Sequence, residues 1–149
     1  MSNTLVFDLE VVPVDFNSVD EDTKKYLLKS AKGDADKESD LINNLVFSPF
    51  TSKLVAVGML DYEKYFHHLK FDNVATLLIN DENKNEPLPE SETIYEDDKP
   101  INKVDYFFGT EREIIIRFWE LLAERKYDYF VTFNGREFDC PYIMLRSFI

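Results

Sequence analysis

The sequence has few of the features that tie a protein to the cell surface or to a membrane. Its single cysteine, Cys140, cannot form a disulfide within the chain, which agrees with a reducing compartment. No apolar run approaches the ~18 residues that a membrane-spanning helix requires. The first residues lack the charged and apolar regions of a signal peptide. We therefore expect a cytoplasmic protein without a membrane partner.

Basic residues are also scarce, because 17 Lys and Arg stand against 29 Asp and Glu, for a net charge of −12. Such a charge repels nucleic acid at long range. The excess is uneven, since residues 81–98 hold eight acids and only one base, Lys84. The neighbouring prolines Pro87, Pro89 and Pro100 favour irregular backbone. We expect residues 81–103 to form an acidic surface loop.

Hydrophobic residues make up 44% of the 149 positions and aromatic residues 15%, a globular composition that fits a single domain over residues 1–149. Periodicity predicts a mixed α/β domain. Within it, Thr110 and Glu113 have the spacing of a capping box at the start of a helix. The predicted strands cover residues 4–12, 53–62, 65–69, 74–79, 104–108 and 128–134, and the predicted helices cover residues 20–32, 37–47, 110–126 and 138–149.

Two acids lie within the first predicted strand, which reads Leu-Val-Phe-Asp-Leu-Glu over residues 5–10. Side chains alternate along a strand, so Asp8 and Glu10 share one face, with Cα atoms roughly 7 Å apart. Strand interiors are depleted in Asp, and a buried unpaired carboxylate is costly. A bound cation would compensate if a third acid converged on the pair. The alternative is an edge strand whose acids face water.

A second group of polar residues lies where the last predicted strand gives way to a helix, over residues 134–139. Asn134 and Gly135 suit a turn. Asp139 would lie at the helix start, where an acid is favourable with the helix dipole. The simplest interpretation of Asp139 is therefore an N-cap. Strand–helix junctions at the carboxyl ends of strands are also common ligand sites.

Taken together, the Phe-Asp-Leu-Glu motif at residues 7–10 and the Asn-Gly-x-x-Phe-Asp motif at residues 134–139 resemble the first two motifs of the DEDD 3′–5′ exonucleases. The resemblance is to the proofreading exonuclease domain of family B DNA polymerases and its stand-alone bacterial relatives. It extends from residue 4 to about residue 147 and includes the Ser-Pro-Phe turn at residues 48–50 with the strand that follows. It implies an RNase H-like fold, in which a mixed sheet is flanked by helices.

The resemblance also implies an activity and a set of site residues. Asp8, Glu10 and Asp139 would be catalytic and would hold two Mg²⁺ or Mn²⁺ ions, for which carboxylate oxygens are suitable ligands. Leu9, Asn134 and Phe138 would contact or position the substrate. The expected reaction is two-metal hydrolysis of phosphodiester bonds at the 3′ end of single-stranded DNA, with RNA as a possible substrate.

The family's third motif, a Tyr or His followed by an Asp on a later helix, has no counterpart in this chain. We therefore expect residues 1–149 to be the N-terminal portion of a longer domain whose C-terminal part is missing. The alternative is a catalytically inactive nucleic-acid-binding or scaffolding domain of the same fold. Two further residues receive structural interpretations, Trp119 as part of the core and Cys140 as a small packed residue.

Overall fold

A computed structural model describes residues 2–65, 68–70, 74–81, 90–97 and 99–149. Its strands are β1 (Ser2–Pro13), β2 (Ser52–Tyr65), β3 (His68–Lys70), β4 (Val74–Asn80), β5 (Ser91–Glu96), β6 (Lys99–Gly109) and β7 (Tyr129–Val131). Its α-helices are α1 (Glu21–Leu28), α2 (Ala35–Asn44), α3 (Glu111–Arg125) and α4 (Asp139–Arg146). Short 3-10 turns cover Phe16–Ser18 and Leu45–Phe47.

The strands of the described part of the chain form one mixed sheet in the order β5-β6-β4-β2-β1-β7, with β3 paired to β2. The pairs β1–β7 and β4–β6 are parallel, whereas β1–β2, β2–β4, β2–β3 and β5–β6 are antiparallel. Parallel neighbours cannot be joined by a tight hairpin. α3 lies in the connection that carries the chain from β6 to β7, the strand at the other edge of the sheet. This mixed sheet with its helices confirms the predicted α/β, RNase H-like fold class.

The core lies between one face of the sheet and the pair α3 and α4. Leu5, Phe7 and Leu9 of β1 all point into it, as strand alternation requires. The rings of Phe7 and Phe118 lie 5.5 Å apart, and Phe118 comes from the apolar face of α3. α4 contributes Tyr142 and Ile143 to the same cluster. The side chains on the opposite face of β1 therefore lie outside this core.

The predicted capping box is confirmed at the start of α3. The Thr110 hydroxyl accepts the backbone N–H of Glu113, and the Glu113 carboxylate accepts the backbone N–H of Thr110. At the other end of the helix Lys126 adopts a left-handed conformation, with φ of 51°, and its N–H bonds the carbonyl of Leu122. The helix that spans the crossover is thus fixed at both ends by local sequence.

The expected loop over residues 81–103 was wrong in part, because β5 and the first residues of β6 lie within it. β6 pairs with β4 on one side and with β5 on the other, so backbone hydrogen bonds support a strand that lacks clear apolar alternation. Pro100 lies near the start of β6, beside a register shift, where a missing N–H is tolerated. Residues 82–89 and 98 of the expected loop lie outside the described residues.

Other element boundaries shifted by a few residues. The helix predicted over residues 20–32 ends at Leu28 and continues as turns to Gly33, which has a φ of 80°. The strand predicted over residues 128–134 is shorter than expected and covers only β7, because the chain turns away after Val131.

Trp119 was expected in the core, but it is 38% exposed at the rim of α3 and donates its indole N–H to the Ser147 hydroxyl. In the described part of the chain, no helix has the length and apolar character to cross a membrane.

Candidate functional site

Asp8 and Glu10 lie on the face of β1 that points away from the core, and both side chains are exposed. On β2, their antiparallel partners are Gly58 opposite Asp8 and Ala56 opposite Glu10. Directly paired residues point to the same face of a sheet. The two carboxylates therefore have the smallest possible neighbours on one side, and this leaves the sheet surface beside them open.

On the other side of β1, the short strand β7 leaves the carboxyl-terminal half of β1 without a partner. The parallel pairing runs from Thr4 with Tyr129 to Val6 with Val131. Residues 132–138 then turn toward α4 instead of continuing beside Asp8. The chain thus changes from strand to helix next to the stretch of β1 that carries the two acids.

The turn between β7 and α4 is compact and depends on a glycine. The carbonyl of Asn134 accepts the N–H groups of Glu137 and Phe138, and the carbonyl of Gly135 accepts that of Cys140. A Cβ atom at Gly135 would lie 2.0 Å from the Thr132 hydroxyl oxygen, so a larger residue would displace the Thr132 side chain. The exposed side chain of Asn134 and the half-buried ring of Phe138 are therefore held on either side of a fixed turn.

Asp139 is the first residue of α4, and Phe138 takes the N-cap position without a side-chain capping bond. Asp139 was interpreted as an N-cap in the simplest case, but it lies one position further on and is only 2% exposed. Within the described residues, no hydrogen bond or ion pair reaches its carboxylate, whose oxygens are not among the fully buried unpaired atoms, Thr76 Oγ1 and Asn80 Oδ1. Burial, together with the negative charge of Asp139, raises the pKa of the neighbouring Cys140 thiol. A positive charge beside so enclosed a carboxylate would stabilise its ionised form.

Side chains further along α4 anchor this helix to the sheet. The Tyr142 hydroxyl lies 2.9 Å from the Ser52 hydroxyl, and Ser52 pairs with Pro13 at the end of β1. Arg146 donates to Glu111 of α3 and, through Nη1, to the carbonyl of Pro49 at 2.9 Å. These bonds fix the start of α4, and with it Asp139, at the end of the sheet where β1 finishes.

The groups that anchor α4, namely Glu111, Tyr142 and Arg146, are mostly buried. Burial and their hydrogen bonds shift their pKa values. Burial alone would raise the pKa of Glu111, but hydrogen bonds from Arg146 and from the N–H of Leu54 outweigh it and hold that pKa below its usual range. The Glu111 carboxylate raises the pKa of Arg146. Burial raises the pKa of the Tyr142 hydroxyl. Glu111 and Arg146 therefore remain ionised, and Tyr142 neutral, around neutral pH.

The residues expected to contact substrate differ in their exposure: two reach the surface and one lies in the core. Phe138 borders the surface beside Asp139, and its ring packs between those of Phe47 and Tyr142. Asn134 lies in an open groove of about 640 Å³, together with Phe133 and Arg136. By contrast, the side chain of Leu9 is only 5% exposed and belongs to the core, so it offers little surface to a substrate. Cys140 packs against the core as a small residue, as expected.

Sequence reasoning did not single out Phe47. It precedes the Ser-Pro-Phe turn and looks like the end of an apolar helix face. Only the ring contact with Phe138 shows that it lies beside the proposed site.

The donor chemistry of this region suits a hard divalent cation, since it offers carboxylates at Asp8, Glu10 and Asp139. The enclosed position of Asp139, which is 2% exposed, agrees with this donor set. Among the residues that the structure describes, however, no three His, Cys, Asp or Glu side chains form a group that could hold a metal ion. The structure thus places Asp8 and Glu10 on the face of β1 that points away from the core and Asp139 at the start of α4, which packs on the core face, without joining the three into a cluster.

Comparison with known proteins identifies a family. The family model of the DNA polymerase family B, exonuclease domain, matches residues 57–148. This stretch runs from β2 to α4 and contains Asn134, Phe138 and Asp139, whereas Asp8 and Glu10 precede it. No curated protein sequence matches the chain.

Proposed function

The chain belongs to the exonuclease domain family of family B DNA polymerases, and from this premise we propose that it is a metal-dependent 3′–5′ exonuclease acting on single-stranded DNA ends. Membership supports a nuclease that hydrolyses nucleic acid. The direction of digestion, the preference for single-stranded DNA over RNA and the dependence on metal are our proposals.

We propose that Asp8, Glu10 and Asp139 hold Mg²⁺ or Mn²⁺ in the working enzyme. Two such ions, when bound, supply an activated water and charge stabilisation at the leaving 3′ oxygen. Asp8 and Glu10 would approach the cation from the open face of β1, where Gly58 and Ala56 leave space. Asp139 would approach from the start of α4. A cation would also offset the repulsion between this acidic chain and a phosphate backbone.

The observation that carries the proposal is Asp139, an acid that is only 2% exposed at the start of α4 and has no hydrogen bond or ion pair among the residues that the structure describes. Enclosing an acid is costly, and costly features of this kind cluster at functional sites. The helix dipole offsets a part of this cost, because Asp139 lies in the first turn of α4. The remaining cost would be offset if Asp139 bound a cation.

The other residues of the turn would hold the substrate strand. Asn134 offers an exposed amide that can bond a phosphate or a base edge, and Phe138 offers a ring next to the carboxylate of Asp139. The tight turn around Gly135 keeps both in place. The side chain of Leu9 supports this region from the core.

The proposal is tested by the substitution Asp8→Ala. The variant, the wild-type protein and Asp40→Ala are incubated with Mn²⁺ and a 3′-labelled single-stranded oligonucleotide, as DNA and as RNA. Asp40 is a matched control because it is also an exposed acid, on α2. We expect wild type and Asp40→Ala to release the label at equal rates and Asp8→Ala to be slower by at least a hundredfold. Undiminished degradation by Asp8→Ala would overturn the proposal.

A second function, an inactive nucleic-acid-binding or scaffolding domain, is favoured by one observation, the lack of a three-ligand group among the described residues. Binding and cleavage assays on the same purified protein distinguish the active nuclease from the inactive domain. Binding of single-stranded oligonucleotide in EDTA, combined with no cleavage in Mg²⁺ or Mn²⁺, would support the inactive domain.

A further inference from the structure

We propose that the ring of Phe47 is a stacking surface for the terminal base of the bound strand. This inference rests on the proposed function, because it assigns a base subsite beside the proposed catalytic carboxylates. It is carried by three features of Phe47: its exposure, the rigidity of its loop and its contact with Phe138.

The first feature is exposure. Phe47 ends the 3-10 turn Leu45–Phe47 and is 63% exposed, whereas Leu45 in the same turn is buried. A single exposed aromatic residue is common on protein surfaces. Exposure alone therefore carries no inference, but it leaves much of the Phe47 ring available to a ligand.

The second feature is the rigidity of the segment around Phe47. The Thr51 hydroxyl donates to the carbonyl of Leu45 at 2.8 Å, and the Ser52 hydroxyl donates to the carbonyl of Ser48 at 2.6 Å. Arg146 binds the carbonyl of Pro49, and the N–H of Val14 binds the carbonyl of Thr51. The backbone is thus tied to both β1 and α4, so the exposed ring loses little conformational freedom when it binds a partner.

The third feature is position. The ring of Phe47 meets that of Phe138 nearly edge to face, with centroids 5.9 Å apart and planes at 83°. The ring of Phe138 in turn lies 5.3 Å from that of Tyr142. Phe138 directly precedes Asp139 in the sequence. A row of three rings therefore leads from the surface to the helix that carries the buried carboxylate.

A nucleobase is the ligand that best fits this surface. Bases stack on aromatic rings regardless of their identity, and this attraction needs no positive charge. It therefore suits a chain with a net charge of −12, which cannot rely on a broad electrostatic attraction to phosphates. A base stacked on Phe47 would bring the terminal phosphodiester toward Asp139.

The experiment measures binding of a 5′-labelled single-stranded oligonucleotide by fluorescence anisotropy in EDTA, so that hydrolysis does not interfere. Two oligonucleotides are compared, one with a normal 3′-terminal base and one with an abasic 3′-terminal nucleotide. The proteins are wild type, Phe47→Ala, Phe47→Tyr and Phe50→Ala. Phe50 is the matched control, because it is an equally exposed ring in the same segment.

With the normal oligonucleotide, we expect Phe47→Ala to bind about tenfold more weakly than wild type, as the loss of one stacked base implies. Phe47→Tyr should retain wild-type affinity, and Phe50→Ala should stay within twofold of it. With the abasic oligonucleotide, wild type and Phe47→Ala should bind equally.

Two results would overturn the inference while wild type still binds and degrades DNA. One is wild-type affinity for Phe47→Ala, and the other is an equal loss for both oligonucleotides. If wild type neither binds nor degrades any oligonucleotide, the proposed function fails first, and the inference fails with it. Wild-type urea unfolding midpoints for all variants would exclude misfolding as the cause of weak binding.

Discussion

Arg146 donates two parallel hydrogen bonds to Glu111, from Nε to Oε1 at 2.6 Å and from Nη2 to Oε2 at 2.7 Å. The pair joins α4 to α3, and Oε1 of Glu111 also accepts the backbone N–H of Leu54 on β2. Both side chains are largely buried. This pair therefore holds the helix that begins at Asp139 against the rest of the fold.

The first prediction concerns this ion pair. Arg146→Met should lower the free energy of unfolding by about 3 kcal/mol, because it leaves the largely buried Glu111 carboxylate with a single backbone donor. The double variant Arg146→Met, Glu111→Gln should recover part of the loss, since no unpaired charge remains. Urea unfolding at neutral pH measures both. A double variant that is less stable than Arg146→Met would contradict the explanation.

The second prediction uses Tyr127, whose hydroxyl donates to Asp61, the partner of Arg125. Burial, reinforced by the bond to Asp61, raises the pKa of Tyr127 from 10.0 to about 12. The folded state thus holds this proton more tightly than the unfolded state. The resulting stability is complete below the unfolded pKa and is lost as the pH rises from about 10 to about 12.

Tyr127→Phe isolates this effect because it removes the titrating hydroxyl. At pH 8, we expect wild type to be more stable than the variant by about 1 kcal/mol, the usual net contribution of one hydrogen bond. The difference should shrink toward zero by pH 11.5. Urea unfolding at pH 8, 10 and 11.5 measures it, and a difference that stays constant with pH would count against the prediction.

The third prediction concerns the space beside Asp8. A Cβ atom at Gly58 would make only ordinary contact with Leu77, at 3.8 Å, so β2 can accept a larger residue there. Gly58→Val should keep or slightly raise the stability, because Val favours strands. Its side chain would stand next to the Asp8 carboxylate and should slow oligonucleotide degradation at least tenfold. Gly58→Ala serves as the control, with a smaller effect expected.

The fourth prediction concerns Asp139. In EDTA, Asp139→Asn should raise the free energy of unfolding by about 1 kcal/mol, because it removes a charge from a position that is only 2% exposed and keeps the shape of the side chain. The exposed Asp8 should tolerate Asp8→Asn with a change below about 0.5 kcal/mol. With Mn²⁺, wild type should gain stability and Asp139→Asn should gain less. Thermal unfolding in EDTA and in Mn²⁺ tests this; a less stable Asp139→Asn in EDTA would refute it.

Local rules sufficed for several features of the molecule. Strand alternation places Asp8 and Glu10 on one face and Phe7 and Leu9 on the other, whatever surrounds the strand. The capping box at Thr110 is equally local, because its bonds join residues three positions apart. The mixed α/β class followed from the order of such segments, and it agrees with the sheet that forms.

Other features depended on partners distant in the sequence. β5 and the start of β6 were missed because their strand character comes from pairing with each other and with β4, not from an apolar pattern. Trp119 looked like a core residue from its neighbours on α3, but the packing of α4 leaves it at the rim, bonded to Ser147.

The sequence by itself therefore determined which acids are available and which face of β1 carries Asp8 and Glu10, because side-chain direction along a strand is a local property. Only the tertiary structure decided that Asp139 is enclosed, with 2% exposure, and that Phe47 lies against Phe138. Both follow from how α4 docks on the sheet. That docking depends on Tyr142 and Ser52, 90 positions apart, and on Arg146 and Glu111, 35 positions apart, and no local pattern encodes such contacts.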